Sequence, residues 1–136
     1  MDTKKHTDDF TRRAMFLEAC VLAKANRLFR RVLYTDRQDG GVQYVAMRLR
    51  GGEEIPWETH TDTFQELHLL KGKLLVDYEE PQGEVVSVKL SQKGRSVAVG
   101  LGTRHRVRNA SEDEDALLVS VYSPPEHPVG LTQERP

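Results

Sequence analysis

The chain lacks most of the features that would place it in a specialised class. It has one cysteine, Cys20, in 136 residues, so no intrachain disulfide can form and the fold must be held by its core. Cys20 lies in an apolar stretch, which reads as a small buried hydrophobe in a reducing, cytoplasmic compartment rather than a reactive thiol. An excess of charge of one sign is also missing: 20 basic residues stand against 21 acidic ones, for a formal net charge of -1. That balance gives no electrostatic footprint for nucleic acid, and no such partner is expected. No long hydrophobic run is present, so no membrane span is expected. Arg12-Arg13 followed by residues 14–23 has the outline of a signal peptide, but Glu18 interrupts it. Phe10, Ala14, Leu17 and Val21 instead recur at helical spacing after Asp8-Asp9, which predicts an N-terminal amphipathic α-helix packed on the body of the domain or on a partner subunit.

From Leu28 onward the pattern changes to short alternating or β-branched runs separated by glycine, the signature of an all-β sandwich or barrel. Strands are expected over 29–34, 42–50, 58–60, 64–71, 74–78, 85–90, 96–99, 105–109 and 117–122. The length suits one domain with a core of its own. We divide the chain into a helical segment (1–27), a β domain (28–123) and a proline-rich tail (124–136) expected to follow the surface rather than add a strand.

The chemistry concentrates in Glu58-x-His60, Gln65 and His105. Residues two apart in a strand share a face, so Glu58 and His60 can point into one cavity, and a folded sheet can bring His105 to them. Arg104, Arg106 and Arg108 alternate with His105 and so face the other way, a solvated stripe that the acidic run 112–115 can pair. Gln43 shares the parity of Val45, Met47 and Leu49 and can present an amide inside the barrel to a substrate, or serve as a satisfied core amide. Tyr44 and Trp57 are candidates for a cavity rim, or for packing. Glu126 and His127 can close over the pocket mouth or pin the tail.

Two segments resemble the paired motifs of the cupin superfamily, whose fold is a small double-sheet jelly roll. The first is Gly52-Glu53-Glu54-Ile55-Pro56-Trp57-Glu58-Thr59-His60, continuing through Gln65 to Gly72; the second runs from Gly94 through Gly100 and Gly102 to His105 and Asn109. The commonest cupin pattern has two histidines and a glutamate in the first motif and a histidine in the second. Here Glu58 stands at the first histidine position, Gln65 at the glutamate position, and Gly100 replaces the usual proline. Residues 26–35 (Asn-Arg-Leu-Phe-Arg-Arg-Val-Leu-Tyr-Thr) and 124–128 (Pro-Pro-Glu-His-Pro) further resemble a subset labelled mannose-6-phosphate isomerase-like. The resemblance implies a homodimer.

Two imidazoles and one carboxylate make a facial triad for a divalent metal, with Gln65 adding a neutral oxygen. Gln65 is preferred to Glu66 because it lies seven residues before Gly72, as the motif requires; Leu67 and Leu69 then face the core, and Glu66 and His68 face outward. With an oxygen donor in place of a nitrogen, the set favours Mn or Fe(II) ahead of Zn. The leading expectation is a metal-dependent protein acting on a small oxygen-rich molecule, sugar- or carboxylate-like, as an isomerase or an Fe(II) dioxygenase. An isomerase needs a base, and no second inward carboxylate clearly supplies one. The alternative is a non-catalytic module for metabolite binding or assembly.

Overall fold

Short apolar runs separated by turns can satisfy their backbone groups only by pairing with one another. The computed structural model, which describes residues 28–134, shows how they do so. The strands, in chain order, are β1 Leu28–Asp36, β2 Val42–Leu49, β3 Glu54–Thr59, β4 Phe64–Lys71, β5 Leu74–Glu79, β6 Val85–Leu90, β7 Ser96–Val99, β8 Arg104–Asn109, β9 Ala116–Ser123 and β10 Thr132–Glu134. They form two antiparallel sheets, one in the order β10-β1-β2-β9-β4-β7 and one in the order β3-β8-β5-β6. The expected all-β, two-sheet jelly roll is therefore the observed architecture. The N-terminal helix expected over 1–27 lies outside the described residues.

Alternation along the strands sorts side chains to two faces. Val45, Met47, Leu67, Leu69, Val107 and Leu118 meet in the main core, each 1% exposed or less. Full burial of one such side chain stabilises the fold by about 1.5–3 kcal/mol. Their alternate neighbours Tyr44, Ala46, Leu117 and Val119 form a second buried cluster on the outward face of the larger sheet. Between β4 and β5, Gly72 adopts a φ of +84°, and a Cβ there would lie 2.7 Å from the Asp115 carbonyl oxygen, so this turn excludes other residues twice over.

Two expectations need correction. The strand expected at 58–60 begins at Glu54, ahead of Pro56. Pairing with β8 shifts between Ile55 and Glu58, and β3 is the edge of its sheet, so the proline sits in an irregularity where no ladder donor is missed. The tail also contributes a strand: β10 pairs with the edge strand β1. All three of its side chains are exposed, so it carries no apolar alternation; backbone pairing holds it, together with the side-chain bond from Arg30 to Gln133.

Candidate metal centre

The β3–β8 register places Glu58 directly opposite His105. Skipping two residues at Pro56 and Trp57 returns Glu58 to the inward face that Ile55 occupies, so the carboxylate enters the space between the sheets. His60 follows just past the end of β3, its carbonyl held by the Gly102 N–H at 2.9 Å. Glu58, His60 and His105 each bring a donor atom within 4.8 Å of the others and could hold a metal ion. His60 Nε2 lies 3.2 Å from Glu58 Oε1, and His105 Nε2 lies 3.6 Å from the same oxygen.

The tautomer of His105 follows from its partner. Its Nδ1–H donates to the Thr103 carbonyl at 2.9 Å, which leaves Nε2 as the lone-pair nitrogen. That Nε2 is buried without a hydrogen-bond partner among the described residues, the condition in which a metal-ligating histidine is kept. His60 is oriented from its other side, where Nδ1 stands 3.4 Å from Glu126 Oε1 on the tail. Electrostatics couple these groups. Burial alone would raise Glu58, but His105 and His60 outweigh it and hold the carboxyl at about 2. His60 is raised by its bond to Glu58, against burial, with Glu126 adding to the rise.

The facing sheet supplies a second wall. Gln65, Tyr122 and Gln43 fall on one row across β4, β9 and β2. Gln65 Nε2 donates to Ser120 Oγ and to the Tyr122 hydroxyl, both at 3.2 Å. Its Oε1 is buried and has no hydrogen-bond partner among the described residues. The Tyr122 ring meets the edge of His60 at 5.7 Å and of His127 at 5.2 Å, and burial pushes its hydroxyl up to about 12.

Residues 45–122 match the family described as Cupin domain. The chain belongs to the cupin family. It is 30% identical over 106 residues to uncharacterized protein L612 of Acanthamoeba polyphaga mimivirus, covering 77% of this chain and 62% of that protein. It is 30% identical over 111 residues to uncharacterized protein YrkC of Bacillus subtilis, covering 82% and 58%. The chain thus spans about three-fifths of the length of these relatives. BH2720 of Bacillus halodurans, a solved structure, superposes with a TM-score of 0.72 at 30% identity, covering 84% of this chain and 83% of that one.

Of the three residues expected to meet a substrate, Gln43 faces inward beside Tyr122 with its amide occupied, and Tyr44 and Trp57 face outward. Gln43 is fully buried, and its amide is consumed by the tail: Nε2 donates to Thr35 Oγ1 and to the His127 carbonyl, and Oε1 accepts from the Glu126 and His127 N–H groups. The satisfied-amide reading is the one that holds. Tyr44 lies in the outward cluster because it alternates with the inward Gln43 and Val45. Trp57 lies on the outward face of the small sheet, where the guanidiniums of Arg104 and Arg106 sit 4.4 and 4.9 Å from its ring.

Other readings fare differently. The arginine stripe does face away from His105, but its partners are Asp77, Glu79 and Glu54; of the acidic run, Asp115 pairs instead with Arg48. His68 alternates with the inward Leu67 and Leu69 as expected; it is 8% exposed, and burial pushes it down against Glu66. Tyr122 was not singled out in the sequence. Its inward parity with Leu118 and Ser120 was available, but nothing local marks a tyrosine as a cavity wall.

No helix among the described residues is long and apolar enough to cross a membrane.

Proposed function

We propose that this cupin is a metal-dependent protein that binds, and acts on, a small oxygen-rich molecule. Glu58, His60 and His105 hold a divalent ion, with Gln65 Oε1 as a fourth, neutral donor. The observation that carries the reading is the pair of buried atoms, His105 Nε2 and Gln65 Oε1, whose own side chains are fixed by hydrogen bonds through their other ends while these two find no hydrogen-bond partner among the described residues. A buried polar atom without a partner costs about 1–3 kcal/mol, and a metal removes that cost at both. The donor set suits Mn or Fe(II) ahead of Zn. When bound, such an ion acts as a Lewis acid on a carbonyl, hydroxyl or carboxylate oxygen.

The chain's own residues set the geometry. Thr103 fixes the His105 tautomer, Glu126 orients His60, and Ser120 with Tyr122 orients the Gln65 amide. A finer kinship to the mannose-6-phosphate isomerase-like subset, and pairing into a homodimer, belong to the same proposal. One observation favours the second reading, ligand binding without turnover. Glu58 and Glu126 both contact His60, so neither stands free as a base for moving a proton between carbons.

Elemental analysis of the purified protein, beside the His60→Ala/His105→Ala variant, tests the proposal. About one Mn or Fe per chain, lost in the folded variant, is the expected result. Equal metal content in both would remove the site, and a metal-free wild type of intact fold would move the binding-module reading to the front.

A further inference from the structure

Arg30 of β1 pairs with Met47 of β2, and Met47 is buried in the main core, so this rung directs a guanidinium toward the space between the sheets. Arg30 Nη1 donates to Gln133 Oε1 of β10 at 2.7 Å. The edge of the fork that carries Nε is left over, and Nε is buried without a hydrogen-bond partner among the described residues. His127 Nε2, on the tail segment that meets Tyr122 and Gln43, is buried and without a partner in the same way. Burial, and then the Arg30 charge, push His127 down to about 4; the same charge opposes the burial that raises Tyr122.

An inward cation and a neutral imidazole, each with an unused polar atom, ask for an acceptor from outside the chain. The charges around the cluster agree. Glu58 and Glu126 are the carboxylates in contact with His60, and a divalent ion offsets the two, while Arg30 meets neutral groups, the Gln133 amide and the Phe29 ring 5.1 Å from its Cζ. One guanidinium edge is a bidentate match for a planar carboxylate, and a neutral N–H donor adds direction without a second charge. That combination fits a singly charged carboxylate better than a phosphate dianion.

We infer that Arg30 and His127 form a carboxylate-binding pair, and that the ligand of this cupin is a small molecule with one oxygen-rich end on the metal triad and a carboxylate at the other. The position of the first end rests on the metal-binding reading above; the carboxylate end rests on Arg30 and His127.

The test is calorimetric binding to metal-loaded protein of malate, 2-hydroxyglutarate and 2-hydroxyadipate, each beside its ω-amide, with methyl phosphate as a further probe. The three chain lengths cover different spans between the two ends, and the amide keeps the metal-binding end while removing the distal charge. The acid of best length should bind roughly tenfold or more tightly than its amide. In Arg30→Gln that ratio should fall to about one at unchanged metal content, and Arg30→Lys should keep part of it. A misfolded variant weakens acid and amide together, so the ratio reads recognition rather than stability. A ratio unmoved by Arg30→Gln, no binding by any of the acids, or tighter binding of methyl phosphate would each overturn the inference. If the wild type takes up no metal, the metal reading falls by itself, and the same ratio on metal-free protein still decides the role of Arg30.

Discussion

His60 shows how much a single side chain depends on its two neighbours. Glu58 approaches one ring nitrogen and Glu126 the other, so the imidazole stands between two carboxylates and its proton is favoured. A metal must displace that proton. Because the metal-free His60 is raised above the ordinary 6.5, the proton persists into the neutral range, and apparent Mn(II) affinity should fall as pH drops from about 8 to about 6, with proton release on binding. Titrations at the two pH values check this, and equal affinities would exclude His60 as a ligand. Glu126→Gln should keep the fold and weaken metal binding by about 10–100-fold, read in the same titration. The triad itself was legible from spacing, because strand alternation and pairing act on residues close in sequence or opposite in register. Glu126 was expected over the pocket mouth or pinning the tail, but its contact with His60 was not legible, since a contact spanning 66 residues of chain leaves no local mark.

At the scale of elements, the tail is as much part of the site as the strands. Ser123 Oγ donates to the Gly41 carbonyl, Thr63 Oγ1 donates to the Pro124 carbonyl, and the Gln43 amide then clamps Glu126 and His127. Gly41 has a φ of +82° and a Cβ on it would reach 2.9 Å from Pro125 Cδ, so the clamp needs glycine at this entry. Gln43→Leu keeps the volume and removes the amide, leaving the Glu126 and His127 N–H groups without their acceptor. It should cost about 1–3 kcal/mol of stability and raise hydrogen exchange at those two amides above the rest of the core. Unchanged exchange there would show that the tail is held by something other than Gln43. Metal affinity should fall with it, because His60 loses an orienting partner. The strand pattern predicted Gln43 as inward but not what it holds: an inward amide in β2 looks the same whether its partner is a ligand or a backbone 84 residues away. β10 was missed for a related reason, as exposed polar residues carry no period.

Across the whole molecule, the outward face of the small sheet carries a charge cluster on the side opposite the metal triad. Asp77 is fully buried beneath Arg106 and Arg108, which donate to its oxygens at 2.9 and 2.8 Å, and Ser87 Oγ adds a third donor. Alternation in β8 predicted the arginine face, yet its central counter-charge comes from β5, the neighbouring strand, rather than from the acidic run that follows in sequence. Proximity in sequence is a poor guide where a sheet supplies a closer partner. Burial would raise Asp77, but Arg108, Ser87 and Arg106 outweigh it and hold the carboxyl below the ordinary 3.8. A carboxyl depressed in the folded state stabilises the fold fully above its unfolded value, and that contribution is lost as pH falls through the folded one. Asp77→Asn should therefore cost stability near pH 7, by about 1–3 kcal/mol given that both arginines remain partly in water. The difference from wild type should shrink below about pH 4 as the wild-type carboxylate takes up its proton. Urea unfolding of the two proteins near pH 7 and near pH 3 makes the comparison. A difference that stays constant would mean that shape and hydrogen bonding, rather than the charge on Asp77, hold this face to the sheet.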